Sequence, residues 1–172
     1  MLCSVFVGTS LDGFIARRNG ALDFLPDTHE PHGYDEFIAT IDCHVIGRAT
    51  FEFVASYPGW AYGEKPVFVL SSRPLDFSAI RGRVEQMSGD PVEIAAQLSA
   101  RGFKHAYVDG GVTVQRFLSG GLINHITVTR VPVLIGEGIP LFGSLPQDVK
   151  LRHIATQTYP SGLVKSEYEV LR

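Results

Sequence analysis

An α/β fold with a mostly parallel central sheet and an antiparallel C-terminal hairpin is what this sequence predicts. Three observations carry that prediction. Short apolar runs at 43–46, 66–70 and 106–108 read as strands buried on both faces. Segments of helical spacing stand between them, which is the pattern of a parallel sheet covered by helices. Two alternating runs, 149–159 and 162–171, flank Pro160-Ser161-Gly162 and read as a closing hairpin.

The elements follow in order. Residues 3–8 form a first strand. From 9 to 31 no period is sustained, and Gly13, Gly20, Pro26 and Pro31 punctuate a long loop, of the kind that is usually functional. Tyr34, Phe37, Ile38 and Ile41 recur at helical spacing. A strand at 43–46, a turn at 47–50 and a short helix at 51–56 come next, then a loop to Lys65 and a strand at 66–70. Residues 83–87 are a further candidate strand. Asp90-Pro91-Val92-Glu93 starts a helix, with Asp90 as cap and Pro91 at the first helical position. Gly102 ends it. A strand at 106–108 meets Asp109-Gly110-Gly111, and Val114, Phe117 and Leu118 then share one helical face. Residues 123–131 alternate as a half-covered strand. In the final run Val164, Ser166, Tyr168 and Val170 share one side, and Lys165, Glu167 and Glu169 the other.

At 172 residues the chain has room for a single domain over 1–172, with no repeat or linker in it. A net charge of −3 argues against a general nucleic-acid or membrane-surface binder. Its apolar runs fall far short of the ~20 residues that span a bilayer. The first residues lack the charged and apolar regions of a secretory signal. Cys3 and Cys43, the two cysteines, sit in apolar runs and read as core thiols without a disulfide, which fits a cytoplasmic setting.

Three strand ends carry phosphate-type chemistry. Asp109-Gly110-Gly111-Val112-Thr113 joins a strand to a helix through a turn without Cβ atoms, where free N–H groups and a helix dipole face a ligand. Gly47-Arg48-Ala49-Thr50 repeats the device and adds a planar guanidinium. Ser71-Ser72-Arg73 follows a buried strand and offers hydroxyls and a second guanidinium. Ligands of open α/β sheets gather beyond the carboxyl ends of strands. An extended ligand with several phosphates, such as a dinucleotide with an extra 2′-phosphate, matches that set. The usual dinucleotide fingerprint is absent, because the third glycine is missing and Arg130 stands where an acid would.

Taken in order, Leu11-Asp12-Gly13-Phe14-Ile15-Ala16, Val45-Ile46-Gly47-Arg48-Ala49-Thr50-Phe51-Glu52, Val69-Leu70-Ser71-Ser72-Arg73-Pro74 and Val108-Asp109-Gly110-Gly111 resemble the dihydrofolate reductase superfamily. Val131-Pro-Val-Leu-Ile-Gly-Glu-Gly-Ile-Pro-Leu-Phe142, together with Ser10-Leu11-Asp12-Gly13, is similar to the riboflavin-biosynthesis pyrimidine reductases, the C-terminal half of the bifunctional deaminase-reductases. The resemblance covers nearly the whole chain. It implies a dihydrofolate-reductase-like three-layer fold and NADPH as cofactor. It places Gly47, Arg48 and Thr50 at the phosphates and adenosine side, and Ser71, Ser72 and Arg73 at the 2′-phosphate. Gly110, Gly111, Val112 and Thr113 would then cradle the pyrophosphate, with Val7, Gly8, Ile15 and Ala16 along the nicotinamide.

Hydride transfer to a C=N or C=O group needs a proton nearby, commonly from a carboxyl of raised pKa. Dihydrofolate reductases carry that acid at the start of the helix after the long loop. The two registers available here put Thr28 or Gly33 at that position, and neither is an acid. The pyrimidine-reductase resemblance points to Asp12, whose other reading is a turn residue before glycine. Asp23, beside Phe24, is a second catalytic candidate, with a solvated loop charge as its alternative. His29, His32 and His44 do not complete a metal set, so no metal is expected. Arg17 and Arg18 could meet a substrate phosphate at the loop mouth, and Trp60 could close over a ligand. The expected activity is that of an oxidoreductase acting on a nitrogen heterocycle, with 5-amino-6-(5-phosphoribosylamino)uracil in riboflavin biosynthesis as the first substrate. Dihydrofolate reduction and a nucleotide-binding module without catalysis are the alternatives. The family also implies a homodimer. No deaminase motif accompanies the reductase pattern.

Overall fold

The computed structural model describes residues 1–27 and 30–171. Ten strands and four helices run in the order β1 (Leu2–Ser10), β2 (Phe14–Ala16), α1 (Tyr34–Thr40), β3 (Cys43–Gly47), α2 (Arg48–Ala55), β4 (Val67–Leu70), β5 (Val84–Met87), α3 (Pro91–Ala100), β6 (His105–Asp109), α4 (Gly111–Ser119), β7 (His125–Val131), β8 (Ile139–Pro140), β9 (Leu151–Thr158) and β10 (Val164–Val170). Eight strands make one sheet in the order β5-β4-β3-β6-β1-β7-β10-β9. Pairings from β5 across to β7 are parallel, and the last two are antiparallel. The carboxyl ends of six strands therefore lie along one edge.

Register decides which side chains share a face. Cys3, Ala106 and Cys43 stand side by side across β1, β6 and β3. They join Val5, Val45 and Val108 in the main core beneath α3 and α4, against Ile94, Leu98, Val114, Phe117 and Leu118. Both cysteines are buried and neither forms a disulfide. On the opposite face Tyr107 pairs with His44, and Asp109 with Ile46. That face is roofed by α1 and by a second apolar cluster in which Ile46, Phe51, Val67 and Val69 pack with Trp60, Tyr62 and Phe77.

The long loop holds more structure than its sequence shows. β1 runs on to Ser10, and β2 pairs antiparallel with β8. Three residues are too few to display a period, and their partner is over 120 positions away by the numbering of the pair Phe14 and Pro140. Helix α3 begins as expected, with Asp90 Oδ1 accepting from the Val92 N–H at 2.8 Å. Such a cap contributes about 1 kcal/mol. The C-terminal hairpin forms with a bulge opposite Glu167 and Tyr168. β9 lies at the sheet edge with all eight residues exposed. Among the described residues no helix is long and apolar enough to cross a membrane.

Candidate functional site

The three glycine and serine loops meet at one edge of the sheet. Arg48, Ser71, Ser72 and Arg73 line a single cavity of about 570 Å³, together with Glu52, Ser88, Gly89 and Arg116. β3 and β4 are neighbours, so the loops after them are neighbours too. Arg116 comes from α4, whose first residue is Gly111. Its guanidinium donates to the Gly89 carbonyl at 3.0 Å. Arg48 Nε is paired with Glu52 at 2.6 Å, whereas Arg73 has no carboxylate partner among the described residues. Ser71 is buried, and its hydroxyl serves the turn by donating to the Arg73 carbonyl and accepting from the Arg73 N–H. Gln86 braces the same turn, donating to the carbonyls of Ser71 and Arg73 at 2.9 Å and accepting from the Leu75 N–H. Ser72 and Arg73 are thus the groups of this loop free to meet a ligand. Ser88 and Gly89 follow a strand with no phosphate signature, and Arg116 lies more than a turn beyond the Gly110-Gly111 signature, so none of the three is legible in the sequence.

The turns after β3 and β6 interlock. Gly110 has φ +92°, and a Cβ there would run into Thr50 Oγ1. A Cβ at Gly47 would stand 2.7 Å from Thr113 Oγ1. Each turn therefore accepts the other's threonine, and the starts of α2 and α4 sit side by side. Two positive helix ends converge there. Gly111 allows a third close approach, since its Cβ would lie 2.8 Å from the Pro140 carbonyl oxygen and 3.2 Å from Ile15 Cδ1. That contact seats β2 and β8 across the start of α4. Val112 is exposed on the outer side of the helix.

Beyond the turns lies an aromatic basin. Phe6 stacks on Phe37 at 5.1 Å between centroids, and Tyr107 meets Phe37 edge-on at 5.0 Å. His44 lies between Tyr62, at 4.6 Å, and Tyr107, at 5.5 Å. It is 1% exposed, and neither ring nitrogen has a hydrogen-bond partner. Burial holds its pKa down at about 4, with Lys65 adding to the effect. Tyr107 donates its hydroxyl to the Phe6 carbonyl at 2.6 Å.

Asp109 stands at the mouth of this basin, at the carboxyl end of β6. It is partly exposed, yet desolvation by the surrounding protein raises its carboxyl pKa, partly offset by the Gly110 N–H, which donates to Oδ1 at 2.7 Å. Tyr34, Tyr62 and Tyr107 all feel its charge. A carboxyl in an apolar wall with access to a crevice is the arrangement from which a proton can be delivered. The sequence reading saw Asp109 only as part of a turn. The signal was there, since the residue two before it on the same strand face is an aromatic.

The two aspartates expected to be catalytic are held differently. Asp12 is an exposed carboxylate that accepts from the Gly136 N–H at 2.7 Å and the Ile135 N–H at 3.3 Å. A hydrogen bond from Ser10 and those two amides lower its pKa. It clasps the loop to the segment before β8. Asp23 is ion-paired with Arg17 at 2.6 Å, and the Arg17 hydrogen bond lowers its pKa, where an apolar wall was expected to raise it. One cause lowers both pKa values. Their ligands are donors, which favour the ionised form.

Of the residues expected along a nicotinamide, Gly8 faces the basin side, with Leu25 Cδ2 3.1 Å from where its Cβ would be. Val7 and Ile15 pack against the main core, and Ala16 is buried. Thr28 and His29 lie outside the described residues. His32 contacts the Glu30 carbonyl and the ring of Tyr159. Among the described residues no group of three or more potential metal ligands converges.

A mostly parallel sheet with an antiparallel closing hairpin, and a crevice at its strand ends, defines a dihydrofolate-reductase-like domain. The chain belongs to the RibD C-terminal domain family, which residues 3–165 match. It is similar to a "Putative riboflavin biosynthesis protein" of Shewanella sp. PV-4, at 36% identity and a TM-score of 0.90 over 100% of both chains. It is 29% identical over 159 residues, 90% of each chain, to the "Uncharacterized protein YwjB" of Bacillus subtilis. The fold is shared with dihydrofolate reductase of Enterococcus faecalis, solved with NADP(H), at 19% identity and a TM-score of 0.69 over 99% of this chain and 97% of that one.

Proposed function

We propose that the chain is an NADPH-dependent reductase of a flat nitrogen heterocycle, and that Asp109 holds the proton for the reduced atom. The observation that carries the reading is the cavity shared by Arg48, Ser72, Arg73 and Arg116 beside two converging helix starts. Its residues fit a dinucleotide carrying an extra phosphate. Arg73 and Ser72 suit a phosphate monoester, because a guanidinium fork and a hydroxyl match its oxygens. Gly111 and the N–H groups that follow it at the start of α4 suit the pyrophosphate. When bound, the nicotinamide supplies the hydride. The family membership and the likeness to a riboflavin biosynthesis protein support a pyrimidine or pteridine ring as the acceptor.

The chain's own residues would do the rest. Phe6, Tyr34 and Tyr107 provide flat apolar surface for the ring and exclude water. Asp109, whose carboxyl pKa is raised because burial disfavours the charge, delivers the proton. The Gly110 N–H fixes one carboxyl oxygen and leaves the other toward the ring. Asp12 holds the long loop closed from a distance.

NADPH consumption should be followed with 5-amino-6-(5-phosphoribosylamino)uracil and with dihydrofolate side by side. Turnover of either ring, lost in Asp109→Asn but not in Asp23→Asn, is the expected result. Turnover of neither, or an Asp109→Asn enzyme of full activity, would overturn the reading.

A further inference from the structure

The sheet face that carries Asp109 bears a second polar row, centred two strands away on β7. Gly8 on β1 pairs with Thr129 on β7, and Thr129 with Lys165 on β10, so the three stand side by side. Alternate residues share a face. The row therefore lies next to Phe6, on the side of the sheet where Phe6 stacks on Phe37. Register puts Asp109 on that face too, because Tyr107, two residues before it, pairs with Ser4, two residues before Phe6.

Two groups in the row lack the surroundings they need. Thr129 is 6% exposed, and its hydroxyl has no hydrogen-bond partner. A buried polar group left so is uncommon enough to need an explanation. The Lys165 side chain is 12% exposed, although lysine ordinarily keeps its ammonium in water. That ammonium lies at the start of α1, 3.2 Å from where a Cβ on Gly33 would stand. Among the described residues it meets one carboxylate, Glu167, at 3.1 Å. The contact engages one of its three N–H donors. Lys165 is also the one lysine or arginine on this face of β1, β6, β7 and β10.

β6 and β7 flank β1, so their backbones run about 10 Å apart. A flat ring with its exocyclic groups fills that span between the side chains of Asp109 and Thr129, over Phe6 and Gly8. We propose that Thr129 and Lys165 hold a carbonyl oxygen on the ring edge opposite the one that meets Asp109, and so select oxo-heterocycles against amino-substituted ones. The inference rests on the reductase reading for the ring and adds the group the ring must carry. An ammonium only donates. An exocyclic oxygen accepts from it and from the Thr129 hydroxyl, and the charge strengthens the bond. An amino group in the same place turns donors toward a donor and leaves the ammonium desolvated without compensation.

The probes are 6-aminouracil and 2,4,6-triaminopyrimidine, in which amino groups replace both exocyclic oxygens. Each is titrated by calorimetry into the unsubstituted chain, Lys165→Met and Thr129→Val. The unsubstituted chain should prefer 6-aminouracil by roughly 10–100-fold, the scale of a hydrogen bond to a charged group. Lys165→Met should cut the preference below about threefold, and Thr129→Val should reduce it in part. With a ring that is turned over, Lys165→Met should raise KM and leave kcat within about threefold, the mark of lost uniform binding. Thr129→Val removes a hydroxyl without a partner, so its Tm without ligand should be no lower than the parent's. No binding of 6-aminouracil, equal affinity for the two rings, or a preference that Lys165→Met leaves intact would each overturn the proposal. A Lys165→Met chain that melts lower with the preference intact makes the ammonium a strut between β10 and α1, and overturns it as well. Absence of turnover, with a preference that Lys165→Met abolishes, would reject the reductase reading and keep the ring-edge site. Turnover with an unchanged KM in Lys165→Met would reject the site alone.

Discussion

The two ends of the crevice hold their charges in opposite ways. At the ends of β3 and β4, Arg48, Arg73 and Arg116 sit in an open cavity with one carboxylate, Glu52, among them. At the end of β6, Asp109 lies among the phenols of Tyr34, Tyr62 and Tyr107, and its charge is disfavoured. The first end retains its charges in water and is suited to gripping an anion. The second disfavours charge, which suits it to holding a proton. The same loop chemistry, a strand running into a glycine turn, serves both, and the difference lies in what the sheet face beneath each turn presents.

The comparison is broken hardest at Asp109. Asp109→Asn should lower turnover by roughly 10²–10⁴-fold, the usual scale for losing a general acid, while NADPH affinity stays within about threefold. In the unsubstituted protein kcat/KM should fall as pH rises through the raised pKa, because the protonated form acts, and that limb should vanish in the variant. Stability carries the opposite sign. A carboxyl whose folded pKa is raised weakens the fold as pH climbs from its unfolded value past its folded one, so Asp109→Asn should be at least as stable as the parent at neutral pH. Urea unfolding at two pH values checks this, and a less stable variant would remove the buried-charge argument.

The turn between the two ends comes next. Gly110→Ala forces a side chain into a positive φ and against Thr50, and should cost roughly 2–4 kcal/mol from strain and overpacking together. Adding Thr50→Ala should recover part of that loss in denaturant unfolding. Equal stability of the single and double variants would mean that the turns do not interlock.

Arg73→Ala should weaken NADPH by about 10–100-fold, the range for losing a hydrogen bond to a charged group, and leave NADH within about twofold. Equal losses would take the 2′-phosphate away from this cavity. His44→Phe tests the basin with the smallest expected effect. With a folded pKa near 4 against an ordinary value of 6.5, His44 contributes stability that is present above 6.5 and is lost as pH falls toward 4. Replacing an imidazole without partners by an apolar ring should flatten that acid loss by about 1–3 kcal/mol and leave neutral stability little changed. Thermal scans between pH 7 and 4 measure it.

The cationic end was legible because its signals are local. Gly47-Arg48, Ser71-Ser72-Arg73 and Gly110-Gly111 each announce themselves within a few residues, and Asp90-Pro91 fixes a helix start by its own hydrogen bond. What was hidden depends on distant pairings. β2 and β8 meet across the chain, Gln86 braces the Ser71 turn from β5, and Arg116 reaches the cavity from the outer side of α4. Asp109 was visible in its motif but not in its raised pKa, because burial of a carboxyl depends on Tyr34 and Tyr62, which approach from α1 and the loop after α2. The protonation of Asp12 and Asp23 depends on neighbours in the same way. The amides of Ile135 and Gly136 and the guanidinium of Arg17 decide their protonation, and only Arg17 is near in sequence.

The most direct measurement is the melting temperature of the purified chain with NADPH and with NADH at equal concentrations. Binding to the folded state alone raises Tm in proportion to the logarithm of ligand over Kd. The account predicts a clear rise with NADPH, a much smaller one with NADH, and loss of the difference in Arg73→Ala. No rise with either nucleotide, or equal rises that Arg73→Ala leaves intact, would contradict it.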